Sequence, residues 1–305
     1  MEDEINLGVL TLTVGVRAED ITISRKEWKG DVTGGDGSWN DPQRALSPSL
    51  RSKKLSVVVP GVGVVYRLTP TLSLMSGIHK GFSPPGPGVD EEDDVRPEES
   101  INFEAGFRYH SSLSTIEAVV FSNSYENLLG DDTQFAGGGT YDQFNAGEVD
   151  INGFELVAGQ ILRMGEKMIP LNLSYTYTAT KFLTSFESSF DPWGTVSMGD
   201  ELPYVPKHQF FAEVGVESEQ WRSYLRFRRV GAMRTVAGAG ALESIFSTDA
   251  VALLDLSSEY IVTSTSRLFF KIHNILDSRP IAADRPAGVR PTMPRNVLAG
   301  IKITL

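Results

Sequence analysis

The sequence predicts an all-β protein: an antiparallel meander of about twelve long strands, part of a transmembrane β-barrel with short periplasmic turns and long extracellular loops. Three observations carry this reading. Apolar and polar residues alternate with a period of two through most of the chain, and convincing helical periodicity is almost absent. The alternating runs reach ten residues or more, beyond the usual five or six of soluble sheets and matched to a tilted strand that crosses a bilayer. The connections between them alternate strictly between short and long.

In chain order, the runs fall near residues 8–27, 54–67, 71–82, 100–110, 114–127, 148–160, 169–186, 206–218, 221–235, 249–262, 267–275 and 294–305. Within INFEAGFRYH, Ile101, Phe103, Ala105, Phe107 and Tyr109 share one face, with Asn102, Glu104, Gly106, Arg108 and His110 on the other. In LNLSYTYT, Leu171, Leu173, Tyr175 and Tyr177 oppose Asn172, Ser174, Thr176 and Thr178. In VALLDLSSEYIV, Ala252, Leu254, Leu256, Tyr260 and Val262 oppose Asp255, Ser257 and Glu259. The closing run sets Val297, Ala299, Ile301, Ile303 and Leu305 against Asn296, Gly300, Lys302 and Thr304. Short connections are Leu68–Thr71, Ser111–Leu113, Ser218–Gln220, Thr263–Ser266 and the slightly longer 161–168. The long ones are 28–53, 83–99, 128–147, 187–205, 236–248 and 276–293. Tyr66, Phe82, Tyr109, Trp221 and Tyr260 stand near strand ends, where interfacial aromatic girdles belong.

Composition is compatible with this fold and excludes others. The chain is 41% hydrophobic and its mean hydropathy is −0.13; a barrel that alternates lipid-facing and lumen-facing residues averages near zero. No apolar run reaches the length of a transmembrane helix. Cysteine is absent, which removes disulfides, thiolate metal sites and cysteine nucleophiles. The net charge of −11 argues against a nucleic-acid partner, because phosphate backbones require clustered Lys and Arg. The opening MEDEINLGVL has neither a basic nor an apolar leader region, so no secretory signal is expected in it.

Several short motifs then fall in a telling order. Lys80-Gly81-Phe82 followed by Pro85 ends one strand, and the chain returns through Pro97-Glu98 into the next. Gly15-Val16-Arg17 with Glu19, Gly153-Phe154-Glu155, and Pro203 with Pro206-Lys207-His208 mark three more strands. Asn274, Leu276 and Asp277 stop the penultimate strand, and Pro294, Arg295 and Gly300 mark the last. These motifs in this order resemble the TonB-dependent outer-membrane receptors, with the ferric-citrate branch closest in look. The resemblance covers essentially the whole chain. It implies that residues 1–305 are one partial domain, the C-terminal portion of a twenty-two-stranded barrel, and that the family's plug domain, TonB-contacting segment and signal peptide lie outside it. It also implies an outer-membrane location, contact with outer-membrane lipid, a ferric chelate (siderophore or ferric citrate) as the transported ligand, and energy from the TonB complex acting through the plug. Such receptors are not enzymes, and no cofactor is expected.

An anionic chelate requires Arg or Lys facing the lumen near the rim. In WRSYLRFRRVGAMR, Trp221, Ser223, Leu225 and Phe227 share one face and Arg222, Tyr224, Arg226 and Arg228 the other. Arg226 and Arg228 are therefore expected towards mid-lumen and Arg234 near the rim, with Arg285 and Arg290 as further candidates in the last long loop. The plainer expectation is that such arginines pair with wall carboxylates such as Glu213 and Asp255. The acidic run Asp90–Asp94 lacks the spacing and turn glycine of a calcium loop and reads as a solvated loop. His79, His110, His208 and His273 show no metal-ligand spacing. The His110–Ser112 pair falls on a periplasmic turn with no Asn partner, so catalysis is not expected. Two other readings stay open: a self-sufficient twelve-stranded pore, and a soluble β-sheet binding protein.

Overall fold

The computed structural model describes residues 2–27, 49–86, 94–131, 143–145, 147–188, 193–284 and 288–304. The expected acidic loop (residues 90–93) and Arg285 lie outside them. The strands are β1 (Glu2–Leu7), β2 (Leu10–Glu27), β3 (Ser49–Arg67), β4 (Leu72–Ser83), β5 (Glu98–His110), β6 (Ser114–Glu126), β7 (Leu129–Asp131), β8 (Gln143–Asn145), β9 (Val149–Met164) and β10 (Lys167–Phe182). They continue with β11 (Phe186–Glu187), β12 (Thr195–Val196), β13 (His208–Glu217), β14 (Trp221–Val230), β15 (Val251–Ile261), β16 (Ser266–His273), β17 (Ile281–Ala283), β18 (Arg290–Pro291) and β19 (Asn296–Ile303).

Thirteen of these form one antiparallel meander in the order β1-β2-β3-β4-β5-β6-β9-β10-β13-β14-β15-β16-β19. The remaining six make three two-stranded ribbons, β7–β8, β11–β12 and β17–β18, inside the connections expected to be long loops. The sheet holds one strand more than the expected twelve. Glu2–Leu7 pairs with β2 from Leu7↔Leu10 to Glu2↔Gly15. Asp3 falls on the outward row with Ile5 and Leu7 and breaks the alternation there, while Gly8, at φ 71°, makes the two-residue turn that brings the chain back. The sheet is open, because β1 and β19 are its two unpaired edges. A self-sufficient closed pore therefore does not describe this chain.

The short turns share a chemical device. The hydroxyls of Thr69, Ser111 and Ser218 accept the backbone N–H three residues on, from Leu72, Ser114 and Trp221, at 3.0, 3.0 and 3.1 Å. A side-chain oxygen thus closes each reversal in place of a longer loop. Gly153 has a different reason. A Cβ there would overlap the Phe121 ring and the Tyr177 carbonyl, so only glycine lets the aromatic ring lie flat across the neighbouring strand.

The two faces of the wall differ as the alternation requires. One row across the sheet joins Ile116, Ala158, Leu173, Ala212, Phe227 and Leu254. Val14, Val62, Ile78, Phe107, Leu225 and Ile301 are all exposed on the same outer side. Among the described residues the buried large apolar side chains are Val57, Val149, Phe182, Trp193, Val196 and Val251. Val57 lies midway along β3, beside Glu19, and the others lie at the extracellular end of a strand or in the connections beyond it, so among the described residues the spanning portion has no interior apolar core. A soluble sandwich would bury one face of each strand. This sheet instead shows that face outward over a height that suits hydrocarbon. On β2 the outward residues Leu10, Leu12, Val14, Val16 and Ala18 are apolar and Asp20 ends the run. Nine residues at about 3.3 Å each, tilted by about 45°, cover about 20 Å, close to the apolar band of an outer-membrane barrel. Trp221 and Tyr260, with ring centroids 5.8 Å apart, mark its periplasmic border. Tyr175, Tyr177 and His208 cluster at the other border, the Tyr175 hydroxyl lying 2.9 Å from His208 Nδ1.

Candidate functional site

The lumenal face of β13–β16 concentrates the polar groups. Glu213, Arg226 and Asp255 stand side by side through the register Glu213↔Arg226↔Asp255. Arg226 Nε donates to Glu213 Oε2 at 2.5 Å, and its Nη1 donates to Ser257 Oγ at 3.0 Å. Its guanidinium lies 5.2 Å from the centroid of the Tyr224 ring. The Tyr224 hydroxyl donates to Glu217 at 2.5 Å, and Asn172 Nδ2 donates to the second Glu213 oxygen at 2.9 Å. Arg226 is therefore held as a wall strut, as the carboxylate-pairing expectation required. Beside it, Arg222, Tyr224, Asp255, Lys271 and His273 line a recess of about 290 Å³.

Arg228 is placed differently. It is exposed, one step nearer the extracellular side on the same face, with Phe211 and Leu253 as its cross-strand neighbours. No carboxylate pairs with it among the described residues.

The expected strand 221–235 ends at Val230, so Arg234 lies in the following loop rather than on the lumenal row. Its side chain is only 10% exposed; Nε reaches Glu201 Oε2 at 3.2 Å and Nη2 donates to the Gly240 carbonyl. Lys207 Nζ completes the clamp on Glu201 at 2.6 Å. Burial raises the Glu201 pKa, but Lys207 and Arg234 outweigh it and hold the carboxyl below its ordinary value. Arg290 is exposed on β18, where it interacts with a neighbour. The structure thus brings Arg226 and Arg228 together and sets Arg234 and Arg290 apart from them.

Two features were beyond the sequence reading. Val149, Phe182, Trp193 and Val196 form a small apolar core in the extracellular connections. Phe182, Phe186 and Trp193 pack edge to face, with centroids 5.5–6.1 Å apart. The density of aromatics in FLTSFESSFDPW was the available signal. The second is a knot at Asn274, which is 3% exposed. Its Nδ2 donates to the carbonyls of Ser278 and Met293 at 2.7 and 2.9 Å, and its Oδ1 accepts the Ser278 N–H at 3.1 Å. Asp277 Oδ1 accepts the Arg295 N–H at 2.9 Å. That hydrogen bond does most to lower the Asp277 pKa, and Arg279 adds to it against an opposing desolvation. Both Asn274 and Asp277 sit at φ 51°, a region that Asn and Asp tolerate better than most residues. The penultimate strand stops here because this knot ties its end to the last loop and to the approach of β19.

An open wall with a lipid-facing apolar band, a polar lumenal face and structured extracellular connections defines part of an outer-membrane β-barrel. The domain family described as "TonB dependent receptor-like, beta-barrel" matches residues 1–275, and the chain belongs to it. The family and its neighbours are transport receptors of the outer membrane, not enzymes. The metal-pseudopaline receptor CntO of Pseudomonas aeruginosa is 27% identical over 252 residues, covering 80% of this chain and 33% of that protein. In solved structures, the ferric-catecholate import receptor Fiu of E. coli K12 aligns with a TM-score of 0.73 at 16% identity, over 99% of this chain and 43% of that one. The siderophore receptor PiuA of Acinetobacter baumannii aligns with a TM-score of 0.74 at 15% identity, over 99% and 42%. The chain thus spans about a third of the curated relative's length and well under half of these solved chains.

Proposed function

We propose that these residues form the C-terminal portion of the barrel of a receptor that takes an anionic metal chelate across the outer membrane, energised by TonB through a plug domain. A ferric chelate such as a siderophore complex or ferric citrate is the cargo class this reading favours. The relative that binds a metal–pseudopaline complex supports the wider class of metal chelates. One observation carries the reading: Arg228 presents an exposed cation to the lumen directly above the satisfied Glu213–Arg226 pair. A buried or paired arginine stabilises the wall, whereas an exposed one flanked by Phe211 and Leu253 offers a bidentate donor to a passing carboxylate or catecholate. The test is uptake of radiolabelled ferric citrate by cells that make the full-length receptor. Uptake should depend on TonB, and Arg228→Gln should reduce it about tenfold at limiting chelate, as expected for one charge-assisted contact. Uptake that ignores both TonB and Arg228 would refute the proposal.

A further inference from the structure

Two neighbouring rows on the outer face of the wall enclose an apolar groove of about 450 Å³. The upper row is the one that joins Ile116 to Leu254, and the lower runs Ser114↔Gln160↔Leu171↔Val214↔Leu225↔Leu256. Ala158 and Ala212 are short and form its floor, while Leu171, Leu173, Leu225 and Phe227 stand up as its walls. From β6 to β15 the rows cross five strand-to-strand steps, so at about 4.8 Å each the groove is about 24 Å long. It does not run level. Ser114 opens β6 directly after the periplasmic turn Ser111–Leu113, whereas Leu254 lies near the extracellular start of β15. With strands tilted by about 45° the groove climbs about 17 Å, close to the depth of one leaflet in a hydrocarbon core about 30 Å thick.

The chemistry along it is not uniform. Ser114 and Gln160 are the polar members of the two rows and stand together at the periplasmic end. Ser114 Oγ donates to Gln160 Oε1 at 2.5 Å, and Gln160 Nε2 donates to the Ile161 carbonyl at 3.2 Å. A carboxamide nitrogen carries two hydrogens, and the second has no acceptor among the described residues. Turned to hydrocarbon without a partner, such a hydrogen is costly. Leu162 and Met164 continue the outward face of β9 below it, both exposed, so apolar surface separates it from periplasmic water. Lys167, exposed on the outward side at the start of β10 and opposite Met164, sets a cation at the level of the lipid headgroups. A groove one leaflet deep, with a hydrogen-bond donor at its lower end and a cation beneath, complements an amphiphile that carries a long chain, an ester carbonyl and a phosphate in that order.

We propose that the groove holds one acyl chain of a phospholipid of the periplasmic leaflet, its ester carbonyl accepting from Gln160 and its phosphate resting near Lys167. Lipid A shares the chain and phosphate chemistry but enters from the opposite leaflet, which would leave its phosphates at the wrong end of the groove. The inference uses the lipid-facing wall alone and stands apart from the cargo reading above.

The experiment titrates palmitoyl-oleoyl phosphatidylglycerol onto the delipidated full-length receptor in detergent and reads bound lipid by native mass spectrometry. One tight phospholipid is expected above a background of weak ones. Ala158→Leu with Ala212→Leu, which fill the floor and keep the surface apolar, should weaken that lipid about tenfold, equivalent to roughly two methylenes no longer buried. Gln160→Leu, which removes the donor, should weaken it about fivefold. Ala105→Leu, on the outward face of β5 beyond the groove, should stay within about twofold of wild type. A filled groove that keeps the tight lipid, a Gln160→Leu variant that binds like wild type, or an Ala105→Leu variant that loses the lipid equally would overturn the inference. So would lipid A, or a second copy of the receptor, taking the groove in preference to phospholipid.

Discussion

Phe182→Ala should unlock the extracellular core without dissolving the barrel wall. Phe182 is fully buried and meets Phe186 and Trp193 edge to face at 5.5 and 6.1 Å, beside Val149 and Val196. Truncating a buried phenylalanine costs about 3–5 kcal/mol, from lost transfer energy and the cavity left behind, with the aromatic pairs contributing at the upper end. We take about 4 kcal/mol. The backbone of Phe182 anchors the returning segment, its carbonyl accepting from Gly199 at 2.8 Å and its N–H donating to Asp200 at 2.8 Å. Opening of this unit is local, so the loss should appear as faster amide exchange at Gly199 by up to roughly a thousandfold, at about 1.4 kcal/mol per decade. Amides of the wall, such as those pairing β5 with β6, should not change. Hydrogen exchange read by mass spectrometry on the full-length receptor decides the matter. Unchanged protection at Gly199, or equal loss in β5 and β6, would refute the view that this cluster is a separate cooperative unit.

The Asn274 knot gives a second expectation. Asn274→Ala removes three hydrogen bonds and leaves the Ser278 and Met293 carbonyls without that donor, at a φ that alanine disfavours. The cost should be about 3 kcal/mol, seen as a lower urea midpoint of the barrel in vesicles, with β19 the first strand to lose protection. The third concerns acid. The Glu201 carboxyl is held below its ordinary value, so its clamp contributes fully above the unfolded value of about 4.3 and is lost as pH falls through the lowered folded value. The extracellular connection should therefore resist protease from neutrality to about pH 4.5 and loosen below about pH 4. Glu201→Gln should abolish that acid step.

How much could be read from the chain alone followed from what each residue had to do. Ile101–Tyr109 alternates because one face of β5 meets hydrocarbon and the other the lumen, and that periodicity survives in the sequence. Above the membrane both faces meet water or other protein, so Ser49–Lys53 carries no clean alternation and the upper part of β3 was invisible. The pairing of Arg226 with Glu213 was foreseeable because strand order and face put them side by side. Arg234 was not: beyond Val230 the chain leaves the ladder, and a period of two no longer says where a side chain points. Phe182 and Trp193 meet only because a loop folds back, a contact with no periodic trace.

The central claim is that the apolar rows face hydrocarbon and the charged rows face an aqueous lumen. These 305 residues contain no cysteine, so a single replacement among them has no competing thiol within this part of the wall. Labels introduced by Phe107→Cys, Leu254→Cys and Ile301→Cys in the full-length receptor in bilayers should be accessible to oxygen and shielded from a water-soluble nickel chelate. Those introduced by Glu104→Cys and Arg228→Cys should show the opposite. If the first three labels instead prove shielded from oxygen and buried against protein, the lipid-facing wall, and the account built on it, is wrong.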